Sequence, residues 1–311
     1  MCIRDRSYSA QPIYRQTGGL SQYSDSEFPS GSAGYESFKY LNKERKGIHI
    51  LSQEQVASRF PQFSFSKIRK EHFVYDEWAG YLDSGLAMSV LKDIAIDIGI
   101  EIRENSAVSE VYDSHGKVSI TVDGFTESFD RSIISAGPWI TRFAPQIENG
   151  IVISRQDMAF FRPHDQTLFR HDMMPIWSIH PIEEGWYGFP LLADGTVKIA
   201  MDLRGDQVTA DVYRITRGDF IESVKEFVSK RIPLLADSPF VGARSCLYTN
   251  TVDGDFIIDW KPGSDRILLA GGVSGHGFKF GGYIGVVIAD QLEDKVNRAA
   301  EFFKIRERFT T

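Results

Sequence analysis

The chain has 311 residues, 42% hydrophobic and 25% charged, a balance that supplies apolar material for two packed domains and sets aside intrinsic disorder. Its 35 Lys and Arg against 42 Asp and Glu leave a formal charge of −7 with no basic cluster to offset it, which argues against a nucleic-acid or anionic-membrane partner. No apolar run reaches the roughly 18–20 residues that span a bilayer, the N-terminus lacks the apolar stretch of a secretory signal, and Cys2 and Cys246 are too few for a disulfide framework; the expected compartment is the cytoplasm.

Residues 1–10 follow neither a helical nor a strand period and are expected to form a non-structural leader. Alternation over residues 11–23 predicts a strand or hairpin turning at Gly18-Gly19, followed by a short helix at 35–46 and a strand at 49–51. Ser52 caps the next helix, with Gln55 in the capping-box position, Val56 and Phe60 inward, and Pro61 as the stop. Residues 73–81 read as a strand; Ser84 then caps a helix whose Leu86, Val90, Leu91, Ile94 and Ile98 fall at helical spacing and which Gly99 closes. A strand at 100–103 precedes a β-meander: 108–112, a turn at His115-Gly116, 118–122, a two-residue turn at Asp123-Gly124, and 125–129. The meander leads into Ile133-Ile134-Ser135-Ala136-Gly137-Pro138-Trp139, a buried strand that breaks into a glycine turn.

Between Ile151 and Met201 the composition becomes aromatic and β-rich, with strands at 158–161, 175–179, 186–189 and 197–201 that predict an antiparallel sheet. One amphipathic helix carries Phe220, Val224, Phe227 and Val228 and stops at Pro233. Strands at 244–250 and 256–259 then lead to Ile267-Leu268-Leu269, a glycine-rich turn from Ala270 to Gly282, and a helix from Tyr283 to Leu292. Such a turn points backbone N–H groups and the positive end of a helix at a ligand carrying negative charge, and Lys279 adds a full charge there. Gly275, Gly277 and Gly281 matter through backbone access, since a Cβ would obstruct a close ligand. Taken alone, Cys246 is equally a small buried hydrophobe, Lys279 a solvated residue at a helix start, His276 a packing residue, and Tyr187 part of a sheet core.

The segments Cys246-Leu247-Tyr248-Thr249, Asp255-Phe256-Ile257-Ile258-Asp259 and Ser274-Gly275-His276-Gly277-Phe278-Lys279-Phe280 resemble the C-terminal part of monomeric sarcosine oxidase and its amine-oxidising relatives in the D-amino acid oxidase superfamily. The likeness extends over about residues 11–295 and is most specific between Arg244 and Gly285. It implies FAD as cofactor and an α+β (mixed α/β) fold, with a dinucleotide-binding domain and an antiparallel-sheet substrate domain. It also implies oxidation of a secondary or N-substituted amino acid to an imine, with O2 reduced to H2O2, in a protein expected to be monomeric. On the same likeness residues 11–72 form the first part of the substrate domain, 73–150 the middle of the FAD-binding domain, 151–238 the substrate-domain sheet, and 239–311 the C-terminal part of the FAD-binding domain.

The resemblance implies a thioether between Cys246 and the flavin 8α-methyl, and a role for Lys279 in oxygen reduction near flavin N5. It places His276, Gly277 and Phe278 against the cofactor with Gly275, the backbone of Val108 near the adenine, and Ala136-Gly137 beneath the ribose and pyrophosphate. The active-site tyrosine falls on Tyr187 and a lysine of the same sheet on Lys198; these line the substrate pocket with His276. Asp202 stands where sarcosine oxidases carry a histidine, and an acid there repels a carboxylate or favours an additional cationic group. The family also opens with a strand, Gly-x-Gly-x-x-Gly and a helix. That motif is not in this sequence, so the first βαβ unit is expected to be missing and the chain to be N-terminally truncated. The alternatives are a non-catalytic fragment or FAD-free binding subunit, and a dehydrogenase that passes electrons to another acceptor.

Overall fold

The computed structural model describes residues 8–65, 71–180, 185–305 and 309, so the first seven residues of the expected leader lie outside the described set. The elements are β1 (Tyr14–Gln16), β2 (Gly19–Ser24), α1 (Ala33–Glu44), β3 (Ile48–Leu51), α2 (Gln53–Arg59), β4 (Glu71–Asp76), β5 (Gly80–Leu82) and α3 (Ser84–Asp97). The meander β6 (Val108–Ser114), β7 (Lys117–Val122) and β8 (Phe125–Phe129) follows, then β9 (Ser132–Ile134), β10 (Ile151–Phe161), β11 (Ile176–His180), β12 (Trp186–Phe189) and β13 (Val197–Met201). The chain continues through α4 (Gly218–Arg231), β14 (Phe240–Thr251), β15 (Ile257–Trp260), β16 (Ile267–Gly271) and α5 (Gly281–Leu292).

An eight-stranded sheet in the order β14-β10-β13-β12-β11-β2-β4-β3 dominates the molecule. Only its β11–β2 pair is parallel. Residues directly opposite in a ladder share a face, and one row of partners crosses the whole sheet: Arg244, Met158, Ala200, Tyr187, Ser178, Ser21, Val74 and Ile50. Phe160, Lys198 and Phe189 form the next row on the same side. Strand alternation turns the neighbouring residues to the other side, where Leu20, Phe73, Ala159, Phe161, Trp177, Trp186, Val197 and Ile199 form the main core with Val56 of α2, Phe60 at its C-cap, and Phe220, Val224 and Phe227 of α4. Phe227 is stacked on both Trp177 (5.7 Å) and Trp186 (4.8 Å), which fixes α4 to that face. The reactive-looking residues therefore lie on the face opposite the main core.

A smaller sheet, β15-β16-β9, pairs β16 with β9 in parallel. It packs with β7 around Ile134, Ile140, Ile257, Ile267 and Leu269. The meander forms as expected, with its two-residue turns at His115-Gly116 and Asp123-Gly124 both at positive φ. Ser52 and Gln55 form the expected capping box.

Several local expectations are corrected. β1 and β2 do not form a hairpin: β1 pairs with β5, and β2 enters the large sheet between β11 and β4. The strand expected over 73–81 is two strands, β4 and β5, because the Asp76 carboxylate accepts from the Trp78 N–H (2.9 Å) and holds a turn between them. Asp83, not Ser84, caps α3, its side chain accepting from Leu86 N–H at 3.0 Å. Residues 100–103 are not in a strand. The apolar stripe of α3 buries only Ala87 and Val90, leaving Leu91 and Ile98 exposed. Both β4 and β14 belong to the eight-stranded sheet.

Candidate active site

Strand β14 carries Arg244, Cys246 and Tyr248 at two-residue spacing, so all three project from the same face as Lys198 and Tyr187. The Tyr187 and Tyr248 side chains act on each other electrostatically, although β13 and β10 lie between their strands β12 and β14. Burial pushes the Tyr187 phenol well above its usual range; the nearby Tyr248 hydroxyl and the charge of Asp202 add to this. Tyr248 is raised by the same desolvation. Lys198 Nζ lies over the rings of Phe189 (4.7 Å) and Tyr187 (5.6 Å). Burial lowers its pKa, with Arg244 acting in the same sense and Cys246 in the opposite one. Cys246 is a half-buried free thiol.

The glycine turn after β16 is stapled to the end of β14. Ser274 N–H donates to Thr249 C=O (3.0 Å), and the Ser274 hydroxyl accepts from Thr251 N–H (3.2 Å). Ser274 and Gly275 both have positive φ. A Cβ on Gly275 would lie 2.2 Å from the Tyr248 ring, so glycine is what lets the turn pass under that tyrosine. The structure thus joins the turn to the strand of Cys246, and the 3-10 turn Gly137–Trp139, which follows Ala136, also packs against β14.

The remaining expected site residues are spread over the glycine turn, the end of β13 and the meander. His276 is exposed, with Nε2 3.3 Å from Gly254 C=O and its ring 5.1 Å from that of Phe256. Phe278 and Lys279 are also exposed, Lys279 Nζ lying 5.6 Å from the Phe280 ring, while Gly277 is buried against Val273. Asp202 is exposed at the end of β13, where its charge is felt by Tyr187, Tyr248 and His180. Val108 lines a separate groove with Arg103, Ile120 and Phe129. Tyr248 and Arg244 were not singled out from the sequence, although their two-residue spacing from Cys246 marks them as sharing its face.

Residues 3–291 match the family described as DAO, FAD dependent oxidoreductase. The chain belongs to this family. N-methyl-L-tryptophan oxidase of Escherichia coli (strain SE11) is 28% identical over 292 residues, covering 91% of this chain and 74% of that protein. Two solved structures share the fold: a thermally stable mutant of fructosyl peptide oxidase (TM-score 0.81, 16% identity, 97% of this chain and 77% of that one) and L-proline dehydrogenase from P. horikoshii (TM-score 0.80, 15% identity, 97% and 78%). Family membership makes this member a flavin-dependent oxidoreductase of the amino-acid oxidase type with FAD as cofactor.

The face of the large sheet fits the ring end of FAD. Lys198 makes no hydrogen bond or ion pair among the described residues, only ring contacts. A half-buried ammonium without an anion calls for an electron-rich group above it. On the same face, the half-buried Cys246 thiol and the glycine turn below Tyr248 leave backbone and sulfur accessible to such a group. Among the described residues no cluster of His, Cys, Asp and Glu could hold a metal ion, and no helix is long and apolar enough to cross a membrane.

Proposed function

We propose that the chain oxidises a secondary or N-substituted α-amino acid to the corresponding imine at the face carrying Lys198, Tyr187, Tyr248 and Cys246, with O2 as electron acceptor and H2O2 as product. The observation that carries this reading is the half-buried, anion-free Lys198 ammonium on the sheet face that also carries the Cys246 thiol. The N-methylated substrate named for the Escherichia coli relative supports the choice of amine.

When bound, FAD supplies the two-electron acceptor for the C–H bond beside the substrate nitrogen. Tyr187 and Tyr248 both remain neutral phenols, because burial raises both. They orient substrate as hydrogen-bonding groups and do not act as bases, so the amine must arrive neutral with its lone pair free. Lys198 Nζ provides the positive charge that favours electron transfer to oxygen, and its lowered pKa eases release of a proton from the same atom. This burial favours Lys198 over the exposed Lys279 for the oxygen-facing task. Lys279, on an open glycine turn, suits an anion arriving from solvent such as the substrate carboxylate. The half-buried free thiol of Cys246 supports its role as the flavin tether.

The decisive experiment mixes the FAD-loaded protein anaerobically with N-methyl and other secondary amino acids and then admits air. Substrate-dependent loss of the yellow absorbance, followed by its return with one H2O2 per imine, is the expected result. Absence of bleaching with every secondary amino acid would overturn the reading. Bleaching without reoxidation by air would assign the electrons to another acceptor. Yellow colour retained on acid-precipitated protein, and lost in Cys246→Ser, tests the tether.

A further inference from the structure

On the Tyr187 face of the large sheet, away from Cys246, a cavity of about 330 Å³ lies between α1 and strands β2, β4, β11 and β12. Its walls include Tyr23, Phe38, Leu41, Val74, Ile176 and Phe189. Tyr187 also lines it, so the cavity opens directly beside the residue placed at the reacting centre.

Asp76, Ser178 and Ser21 in these walls already have partners. Asp76 is bridged by both guanidinium nitrogens of Arg45, at 2.9 and 2.5 Å. Ser178 Oγ donates to Ser21 Oγ at 3.1 Å, and the Ser178 hydroxyl is also 2.9 Å from His180 Nε2. A cavity with mainly apolar walls, whose one acid is already paired, gains little from a charged ligand and gains burial energy from an apolar one. Its volume falls near the lower end of the roughly 300–1,000 Å³ of small-molecule pockets, which suits one ring system and not an extended peptide. The Asp202 charge, felt at Tyr187 on the cavity wall, further disfavours an acidic group.

We propose that this cavity is the side-chain pocket of the oxidase, and that it selects amino acids with a bulky, uncharged, apolar or aromatic side chain over sarcosine. The proposal rests on the amine-oxidase reading for what is oxidised, and on the cavity alone for what is bound.

Two measurements separate those parts. Calorimetric titration of the chain with 3-methylindole, which has neither the amine nor the carboxylate, reads the cavity without turnover. Saturable one-site binding is expected, weakened at least tenfold by Ser37→Phe, at the exposed rim of α1, and by Ser21→Leu in the floor. With FAD-loaded protein, kcat/KM for N-methyl-L-phenylalanine is expected to exceed that for sarcosine at least a hundredfold, and Ser37→Phe to reduce that ratio at least tenfold. Binding that is absent, or that neither substitution weakens, overturns the pocket even if amines are oxidised. Binding that both substitutions weaken, in a protein that oxidises no amine, keeps the pocket and overturns the oxidase reading.

Discussion

Lys198 and Lys279 differ in burial, and burial separates the tasks the two cations can perform. Lys198 lies over two rings with a lowered pKa, where a charge acts strongly on electron density developing beside it. Lys279 is exposed, where solvent screens it. In stopped-flow measurements, Lys198→Met is therefore expected to slow reoxidation of the reduced protein by O2 on the order of a hundredfold, with a smaller effect on anaerobic reduction by substrate. Lys279→Met is expected to raise KM and leave reoxidation nearly unchanged; the reverse pattern would return the oxygen role to Lys279. Tyr187→Phe removes a buried hydroxyl on the cavity wall, and the expected loss in kcat/KM is about tenfold, corresponding to one net hydrogen bond to substrate. The pH profile of kcat/KM in that variant should keep its position, since neither phenol titrates in the working range; a displaced profile would make Tyr187 a base. Sequence reading singled out Lys198, Tyr187 and Cys246 through family likeness alone. It did not reach the mutual influence of Tyr187 and Tyr248, because β10 and β13 lie between the two strands and local spacing carries no record of which strands intervene.

At the scale of elements, the glycine turn works because it can lie beneath Tyr248 while its serine is bonded to β14. Gly275 has φ +81° and no room for a Cβ against the Tyr248 ring. Gly275→Ala is expected to cost about 1–2 kcal/mol of stability from the backbone conformation and to displace Tyr248, lowering kcat/KM more than Tyr187→Phe does. Urea denaturation and steady-state kinetics on the same variant check both parts; unchanged kinetics with lowered stability would confine the turn to a structural role. The turn, the capping box at Ser52 and the two-residue turns of the meander were legible because each is specified within a few neighbouring residues. The supposed hairpin at Gly18-Gly19 was not. Gly18 does take positive φ, but its N–H and that of Thr17 both donate to Ala79 C=O (2.9 and 3.1 Å), so distant chain draws the two strands apart.

The strand order of the large sheet belongs to the whole molecule, because it brings segments from Gly19 to Thr251 into one surface through pairings between remote parts of the chain. Alternation showed which residues share a face within a strand, but only the pairing places His180 of β11 next to Tyr23 of β2, their rings stacked at 4.9 Å. The imidazole also meets the Ser178 hydroxyl at 2.9 Å, and the charges of Glu27 and Asp202 act on it. Burial outweighs those acids and lowers the His180 pKa from 6.5. The folded protein thus resists protonating this ring, whereas the unfolded chain takes up the proton near the ordinary histidine value. The associated stability is fully present above about pH 6.5 and declines as pH falls through that value toward the folded pKa. His180→Gln is expected to lose less unfolding free energy than the parent between pH 7.5 and pH 5.5 in urea titrations, since the substitution removes the difference in proton uptake. An equal loss in both proteins would place the acid sensitivity elsewhere, and a larger loss in the variant would mean that the folded state holds the proton, as a pairing with Glu27 or Asp202 stronger than the burial would require.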